Sequence, residues 1–291
     1  MQKALKITIM AITTLLLLVF FSNSLMNRIF YNPYRDYENS SKVFNLSVQT
    51  LMPNYSHAYI SVYEPGTPNS FSRFSQRIFI SQLSAVRDIN QNGKIQGSMD
   101  YSLGRVKYVE NIVPSSKNVF SQEDFSQDRE IKNIVIKEGS YYMAHIAFSK
   151  PLPTEEIIDS IQPKLGDGNG EIVRIIVKTS DEKNAVALGM DCQSSFFVFG
   201  QGGYTTNVTP NQKEIIFTNN LRFLKENDKT LQLYLASGLF GDIEVNIDER
   251  ISYVIEHGFE NIGVVLFVKG KTLQGLLQNP DFYLTFMEED I

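Results

Sequence analysis

The side chains that could carry out hydrolysis are few and lie far apart in the sequence. His57, His145 and His257 are the only histidines, and Cys192 is the only cysteine. A nucleophilic serine, threonine or cysteine needs a base beside it, and the chain has no Gly-x-Ser-x-Gly motif to mark such a nucleophile. The histidines also lack the His-x-x-x-His and His-Glu-x-x-His spacings that bind zinc. These patterns predict no catalytic residue, no bound cofactor and no metal site.

Two of the histidines have simpler structural interpretations. His145 lies within the apolar run YYMAHIAFS and is predicted to be a buried core residue. His257 comes at the end of a predicted helix, where the negative end of the helix dipole favours a positive side chain. An exported hydrolase that uses one of the three histidines is therefore the weakest alternative.

One loop matches part of a calcium-binding motif. Oxygen-bearing residues alternate at its start and a glycine follows them, as in an EF-hand loop: Asp88, Asn90, Asn92 and Gly93. The position that should hold a bidentate glutamate is Met99, and Asp100 comes one residue late. Because Asn and Gly also form ordinary turns between strands, we predict a turn here rather than a calcium site.

Two further patterns could suggest ligand chemistry. The glycine-rich stretch from Gly200 to Tyr204 lacks the spacing of a dinucleotide-binding fingerprint and precedes no obvious helix. The adjacent acids at 155–156 and 181–182 would need to face each other across a cleft to act as glycosidase carboxylates. We predict a turn for the glycines, and a helix start and a turn for the acids.

The composition is that of a folded protein that does not bind nucleic acid. Of its 291 residues, 43% are hydrophobic and 20% are charged, which is enough apolar surface to form a core. The net charge of -5 and the absence of Lys and Arg clusters argue against binding to phosphates. A single cysteine rules out an intramolecular disulfide.

An apolar segment follows two lysines at the start of the chain. The twenty residues from Ile7 to Met26 would form a helix about 30 Å long, which matches the hydrocarbon core of a bilayer. We predict a transmembrane helix over residues 7–27. The lysines place a cytoplasmic tail, residues 1–6, inside the cell and the C-terminal region outside the cell membrane. A cleaved signal peptide is the weaker alternative, and a buried core helix is weaker still.

The next two regions differ in pattern. Residues 28–43 are predicted to be a linker. Within it, residues 31–43 are polar and rich in tyrosine, with Pro33 as a breaker, and predict an exposed stretch that a protease could cut. Residues 44–139 predict a β-rich exported region, because short β-type runs alternate with turn residues. These runs are FNLSVQTLM, YSHAYISVYE, PGTPNSFS, RIFISQLSAV, VKYVENIV and IKNIVIKEG.

Residues 140–291 alternate strands and helices, which predicts an α+β fold. One βαβ unit is formed by YYMAHIAFS, by a helix that Thr154 caps and Pro163 ends, and by EIVRIIVKT. A second unit is formed by IGVVLFVKG, KTLQGLLQN and DFYLTFME. We predict an α+β sandwich built from the two βαβ units, with helices inserted between them. The units are expected to share one sheet, as in ferredoxin-like folds.

The inserted helices have clear sequence signals. NQKEIIFTNNLRFLKEND predicts one helix, and NIDERISYVIEHG predicts another that begins after Asn246 and stops at Gly258. Four apolar residues of the second helix recur with helical spacing and are expected to share a buried face: Ile247, Ile251, Val254 and Ile255.

Three stretches resemble a known family when they are taken together and in order. They are TLMPNYSHAYIS, then HIAFSKPLPTEEIIDSI followed by a strand, then FTNNLRFLKEN leading to NIDERISYVIEHGFENIGVVLFVKGKTLQGLLQNPDF. They resemble membrane-anchored regulators of extracytoplasmic-function sigma factors, or anti-sigma factors, of Gram-positive bacteria. The resemblance covers about residues 1–287.

The resemblance implies a non-enzymatic regulator or sensor. Its exported domain would bind a ligand or partner, and this would change how a transcription factor is retained inside the cell. Six residues before the predicted helix cannot form an interface of about 1,200 Å², the size typical of a stable complex. We therefore expect the membrane as one partner. The other partner is expected to be a sigma factor or a separate cytoplasmic or membrane anti-sigma subunit. The alternative is an exported surface-binding module with no role in transcription.

Overall fold

The fold is described from a computed structural model of the full chain. The structure describes residues 6–17, 32–33, 35–63, 73–82, 95–102, 105–110, 119–192, 195–198, 203–206, 208–241 and 243–289. Residues 6–17 form a helix, α1. The other helices are α2 (Tyr37–Leu51), α3 (Thr154–Asn169), α4 (Pro210–Glu226), α5 (Asp228–Leu235), α6 (Ile247–His257) and α7 (Gly270–Leu276). The strands are β1 (Tyr55–Tyr63), β2 (Arg73–Gln82), β3 (Ile95–Ser102), β4 (Arg105–Glu110), β5 (Tyr141–Leu152), β6 (Gly170–Val177), β7 (Leu188–Asp191), β8 (Ser195–Val198), β9 (Gly203–Thr206), β10 (Asn261–Lys269) and β11 (Phe282–Glu289).

The C-terminal half folds around a five-stranded sheet in the order β11-β5-β10-β6-β7. β10 pairs antiparallel with both β5 and β6, so β5 and β6 run parallel to each other. β5 likewise pairs antiparallel with both β10 and β11, so β10 and β11 run parallel to each other. The β5-α3-β6 and β10-α7-β11 units therefore interlock in one sheet, which is the ferredoxin-like arrangement. This confirms the α+β class and the shared sheet, to which β7 adds an edge strand.

Helix α3 packs against β6 and β10. Its buried residues Ile157, Ile161 and Leu165 recur every fourth position and are 0% exposed. The prediction that Pro163 ends this helix is wrong, because the helix continues to Asn169. Proline within a helix costs about 3 kcal/mol, and the buried stripe on both sides of Pro163 offsets that cost. Thr154 is the first helical residue rather than the cap.

The segment before β1 differs most from its prediction. Residues 37–43 of the predicted linker and the predicted strand FNLSVQTLM together form helix α2. The apolar residues Phe44, Leu46 and Val48 alternate like those of a strand, and all three are buried. A helix that is buried around most of its circumference shows no single apolar stripe. For this reason the period of two in the sequence indicated a strand where the chain forms a helix.

Strands β1 to β4 form a separate antiparallel sheet in sequence order. β1, β2 and β4 overlap predicted runs, whereas β3 lies in a stretch that was predicted as a hairpin or loop. The run IKNIVIKEG was predicted as a strand, but residues 131–139 do not form one. Asn133 adopts a φ of 60°, a left-handed conformation that interrupts an extended chain. The run PGTPNSFS lies wholly outside the described residues.

Helices α4 and α6 confirm the predictions for the insert. The Asn246 side chain accepts from the Glu249 amide at the start of α6, and Gly258 ends the helix with a φ of 78°. Ile247, Ile251 and Val254 are buried as expected. The fourth predicted core residue was wrong, since Ile255 is 66% exposed.

The predicted transmembrane helix over residues 7–27 coincides only in part with α1. Its second half lies outside the described residues. None of the helices in the part of the chain that the structure describes is long and apolar enough to cross a bilayer. The transmembrane helix therefore stays a prediction.

Candidate functional site

A buried arginine lies in the middle of β6. Arg174 has 0% exposed surface, and its Nη1 donates to Asp191 Oδ1 over 2.6 Å and to the Val173 carbonyl over 2.7 Å. Its Nε donates to the Gln49 carbonyl over 2.9 Å, and its Nη2 donates to the Tyr55 carbonyl over 2.8 Å. A buried charge is tolerated when it is paired and fully hydrogen-bonded. The arginine therefore requires β7, the end of α2 and the start of β1 to meet around it.

The two neighbouring strands position this side chain. The pairing of β6 with β10 shifts in register between Val265 and Leu266, and Arg174 lies opposite Val265. On the other side, a Cβ at Gly189 would approach Arg174 Cγ and Cδ to 3.3 Å. The glycine in β7 thus leaves the space that the arginine stem occupies.

A buried histidine lies on the same face of the sheet. His145 in β5 also pairs with Val265, and directly paired residues point to the same face. His145 is 0% exposed, which confirms its prediction as a core residue. Its Nε2 donates to Asn54 Oδ1 over 2.5 Å, and its ring stacks on Phe125 with centroids 5.0 Å apart.

Arg174 and His145 therefore bind one short piece of chain from the same sheet face. We use the name junction for Arg174, His145 and Asp191 together with the end of α2 and the α2–β1 connection, residues 49–55. The junction joins the N-terminal part of the chain to the five-stranded sheet through hydrogen bonds to backbone carbonyls and to one amide side chain.

The N-terminal end of α2 is also bound to the C-terminal half, by hydrogen bonds to residues of α5 and its N-cap. Asn39 donates to Asn227 at the start of α5, and Ser40 is hydrogen-bonded to the Tyr234 hydroxyl. The rings of Phe44 and Tyr234 meet edge to face with centroids 5.2 Å apart. Helix α2 is therefore fixed to the C-terminal half along its whole length.

A second polar group lies at the surface, at the end of α6. The Tyr253 hydroxyl donates to Asp181 Oδ1 over 2.9 Å, and the Lys178 ammonium lies 3.0 Å from the same oxygen. Hydrogen bonds with Tyr253 and Asp181 raise the pKa of Lys178, and the hydrogen bond from Lys178 lowers the pKa of Asp181. His257 Nδ1 donates to the Tyr253 carbonyl over 3.0 Å, which agrees with its predicted role at the helix end.

Of the histidines considered for catalysis, His145 and His257 lie in separate places. His145 is buried in the sheet, whereas His257 is exposed at the end of α6. His57 lies in β1, and its side chain falls outside the described residues. Among the residues that the structure describes, no group of three His, Cys, Asp or Glu side chains is arranged to hold a metal ion.

The loop and glycine patterns lie largely outside the described residues. Residues 88–93 lie outside the described residues, whereas Met99 is buried within β3 and Asp100 follows it in the same strand. Gly203 and Tyr204 belong to β9, which pairs with β8, while residues 199–202 fall in an undescribed gap. Glu155 and Glu156 are exposed in the first turn of α3.

The junction was not predicted from the sequence. Its one visible signal is a lone arginine within the apolar run EIVRIIVKT, because a charged residue is rarely fully buried unless it is paired. The partners of Arg174 are 125 residues away at Gln49 and 119 residues away at Tyr55. Both acceptors are backbone carbonyls, which no residue type reveals.

Replacement of Arg174 should destabilise the protein more than replacement of a surface arginine. Arg174→Met removes the hydrogen bonds that Arg174 donates to Asp191 and to three backbone carbonyls, and we expect a loss of about 3 kcal/mol in the free energy of unfolding. Arg174→Lys should also be less stable than the original chain, since one ammonium cannot reach four acceptors. The matched control is Arg129→Met, which removes an exposed pair with Glu123 and should cost less than about 1 kcal/mol. If urea denaturation gave equal losses of unfolding free energy for Arg174→Met and Arg129→Met, the structural role of Arg174 would be contradicted.

The single thiol should react slowly. Cys192 directly follows β7 and packs, partly buried, against the core, and the desolvation of its thiol raises the pKa to about 12. The thiolate is the reactive form, so alkylation by iodoacetamide at pH 8 should be roughly a thousandfold slower than for a free cysteine. The rate should keep rising about tenfold per pH unit up to pH 11. A plateau near pH 9 in the native protein, like that of the urea-unfolded control, would show that the thiol is not buried.

Comparison with known proteins places these features in a family. The model of the sigma factor regulator C-terminal region matches residues 135–289, just over half of the chain. The matched region contains both βαβ units, Arg174 and His145, and we refer to it as the regulator domain. Searches of curated proteins and of solved structures give no match. The chain therefore belongs to the sigma factor regulator family, and its function is the regulation of sigma factor activity.

Proposed function

We propose that the protein is a membrane-anchored regulator of an extracytoplasmic-function sigma factor, with the regulator domain outside the cell membrane. The observation that carries this proposal is the junction, because it attaches α2 to the regulator domain. α2 is the first helix after the predicted transmembrane segment among the described residues. A change in the domain would therefore move the chain that leads into the membrane.

The described part of the N-terminal segment supports an anchor. Helix α1 exposes large apolar side chains, including Ile7 at 66%, Met10 at 70% and Leu16 at 53%. A contiguous apolar surface of this kind is unfavourable in water and marks a segment that lipid or protein covers. Lys3 and Lys6 at its start favour an N-terminus on the cytoplasmic side.

The proposed mechanism is binding rather than catalysis. A ligand or partner outside the membrane would favour one state of the regulator domain, and α2 would transmit the difference to the membrane segment. Inside, the partner would be the sigma factor or a separate cytoplasmic or membrane anti-sigma subunit. A ligand can shift such an equilibrium only by its difference in affinity for the two states.

Regulated cleavage would have to occur before α2. A protease needs an accessible, locally unfolded backbone, and α2 is helical from Tyr37 and largely buried from Ser40 onward. The predicted substrate, residues 31–43, is thereby reduced to the part before this helix. Cleavage there would release the regulator domain with α2 still attached.

The test is crosslinking in intact cells followed by affinity purification of the full chain from membranes. We expect to recover a sigma factor or an anti-sigma subunit, and we expect deletion of the gene to change the transcripts of that sigma factor. The matched controls are Leu16→Arg, which puts a charge into the predicted span at a cost of about 3 kcal/mol, and Leu16→Ile. Only the arginine variant should lose the membrane fraction.

Two results would contradict the proposal. One is recovery of neither partner from cells in which both are present. The other is an unchanged set of sigma-dependent transcripts after deletion, together with a surface phenotype, which would favour an exported binding module.

A further inference from the structure

Two aliphatic side chains stand out from the segment that leads into β5. Val135 is 82% exposed and Ile134 is 37% exposed. The next residue, Ile136, packs against the core. The left-handed backbone of Asn133 interrupts the extended chain just before the two exposed residues. We use the name tip for Ile134 and Val135.

The chain is fixed on both sides of the tip. On one side, the Ile131 amide donates to the Leu284 carbonyl in β11 over 2.7 Å. On the other side, the Gln274 side chain donates to the Ile136 carbonyl over 2.9 Å. The whole segment lies within the described range 119–192. The exposure of the tip is therefore a feature of the fold, because both flanks are hydrogen-bonded to the regulator domain.

Two lysines flank the tip, and each is balanced by a carboxylate. The side chains of Lys132 and Lys137 are 75% and 65% exposed. The Lys132 ammonium lies 3.4 Å from Glu130, and the Lys137 ammonium lies 2.9 Å from Glu289. The lysines therefore add little net attraction to anionic headgroups. Their stems can nevertheless lie along apolar surface while the ammonium groups stay in water, as at a boundary between water and lipid.

A bilayer fits the tip better than a protein partner does. A stable protein interface buries about 800 Å² on each partner, which is far more than two side chains can offer. A side chain that is 82% exposed would also need a matching concave site on a protein. The boundary between headgroups and acyl chains accepts a protruding apolar group without a preformed site. The proposed anchor keeps the domain beside such a boundary.

The tip and the helix that leads to the membrane lie at opposite edges of the sheet. The tip follows Ile131, which is bonded to β11, whereas α2 packs against β7. Five strands at about 4.8 Å per step place β11 and β7 roughly 19 Å apart. Because the junction joins α2 to the domain, two separated contacts with the membrane would fix the tilt of the whole body.

We propose that the tip inserts into the outer leaflet of the lipid bilayer and fixes the orientation of the regulator domain on the membrane. The insertion is driven by the apolar side chains and needs no anionic lipid. Release of the tip frees the domain and α2 to change their tilt together. The proposal rests on the proposed function, because the anchor brings the bilayer within reach.

Insertion is tested with single tryptophans, because the chain contains none. Val135→Trp places the reporter at the tip, and Ile255→Trp is the matched control, at an isoleucine of α6 that is 66% exposed. The full chain is placed in phosphatidylcholine nanodiscs, with or without bromine near the headgroup end of the acyl chains. Bromine should reduce the emission of Val135→Trp at least about twofold and leave Ile255→Trp nearly unchanged, since only an inserted ring meets the bromine. Equal emission of Val135→Trp in both kinds of disc would overturn the insertion.

A charge at the neighbouring position separates the tip from the affinity of tryptophan itself for lipid. Ile134→Asp in the Val135→Trp background should abolish the quenching, because a carboxylate is costly among acyl chains. Ile134→Leu is the matched control and should keep the quenching. Circular dichroism shows that both variants are folded. Quenching that persists in Ile134→Asp would place the contact with lipid elsewhere and overturn the insertion.

Two other outcomes separate the tip from the anchor and from a protein partner. If the full chain does not stay with the discs, the proposed anchor fails and the insertion fails with it. If it stays, and the emission of Val135→Trp shifts to the blue as more copies are loaded per disc without quenching by bromine, a second copy covers the tip. That result would overturn the lipid contact and leave the proposed function intact.

The orienting role is tested by energy transfer from Ile255→Trp to a dansyl group on the lipid headgroups. With the tip inserted, the domain has one tilt, and the distances from the tryptophan to the headgroups are narrowly distributed. Ile134→Asp should broaden this distribution in the time-resolved decay. Ile215→Asp, at an isoleucine of α4 that is 53% exposed, is the matched control and should not. An unchanged distribution in Ile134→Asp would overturn the orienting role.

Discussion

The structure depends on the burial of one guanidinium. Removing an arginine from water costs several kcal/mol unless each donor finds an acceptor, and Arg174 finds its acceptors on four separate segments. Asp191 and Val173 lie within the regulator domain, whereas Gln49 and Tyr55 lie before it. The regulator domain is therefore completed by a piece of chain outside the family's matched region. Without that piece, a charged side chain in the middle of β6 would lose two of its partners.

This constraint determines how a signal could pass. Helix α2 buries Val43, Phe44 and Leu51 in the same core as Ile146 and Ile175 of the sheet. Burial of such side chains contributes about 1.5 to 3 kcal/mol each, so α2 should not separate from the domain on its own. The helix and the domain would then move as one body. A regulator of this kind transmits a change in the position or orientation of the whole body to the membrane segment. A receptor domain on a flexible linker could not do so.

Local sequence signals predicted the elements that depend on neighbouring residues. The cap at Asn246, the stop at Gly258 and the two βαβ patterns need only a few adjacent positions, and they led to the shared sheet. Helix α2 was missed because its burial by β7, α4 and α5 removes the one-sided pattern that identifies a helix. The junction was missed for a different reason. Arg174 and Asn54 acquire their roles from chain segments more than ninety residues away, and no spacing rule connects them.

The most direct test of this account is hydrogen exchange measured by mass spectrometry on the full chain. If α2 and the regulator domain form one body, the amides of α2 should exchange as slowly as those of the central strand β10 and in the same cooperative opening. The account predicts that peptides covering residues 37–51 and 261–269 become deuterated together as urea is added. Exchange of residues 37–51 within seconds, while residues 261–269 stay protected, would show that α2 is a loose linker and would contradict the account.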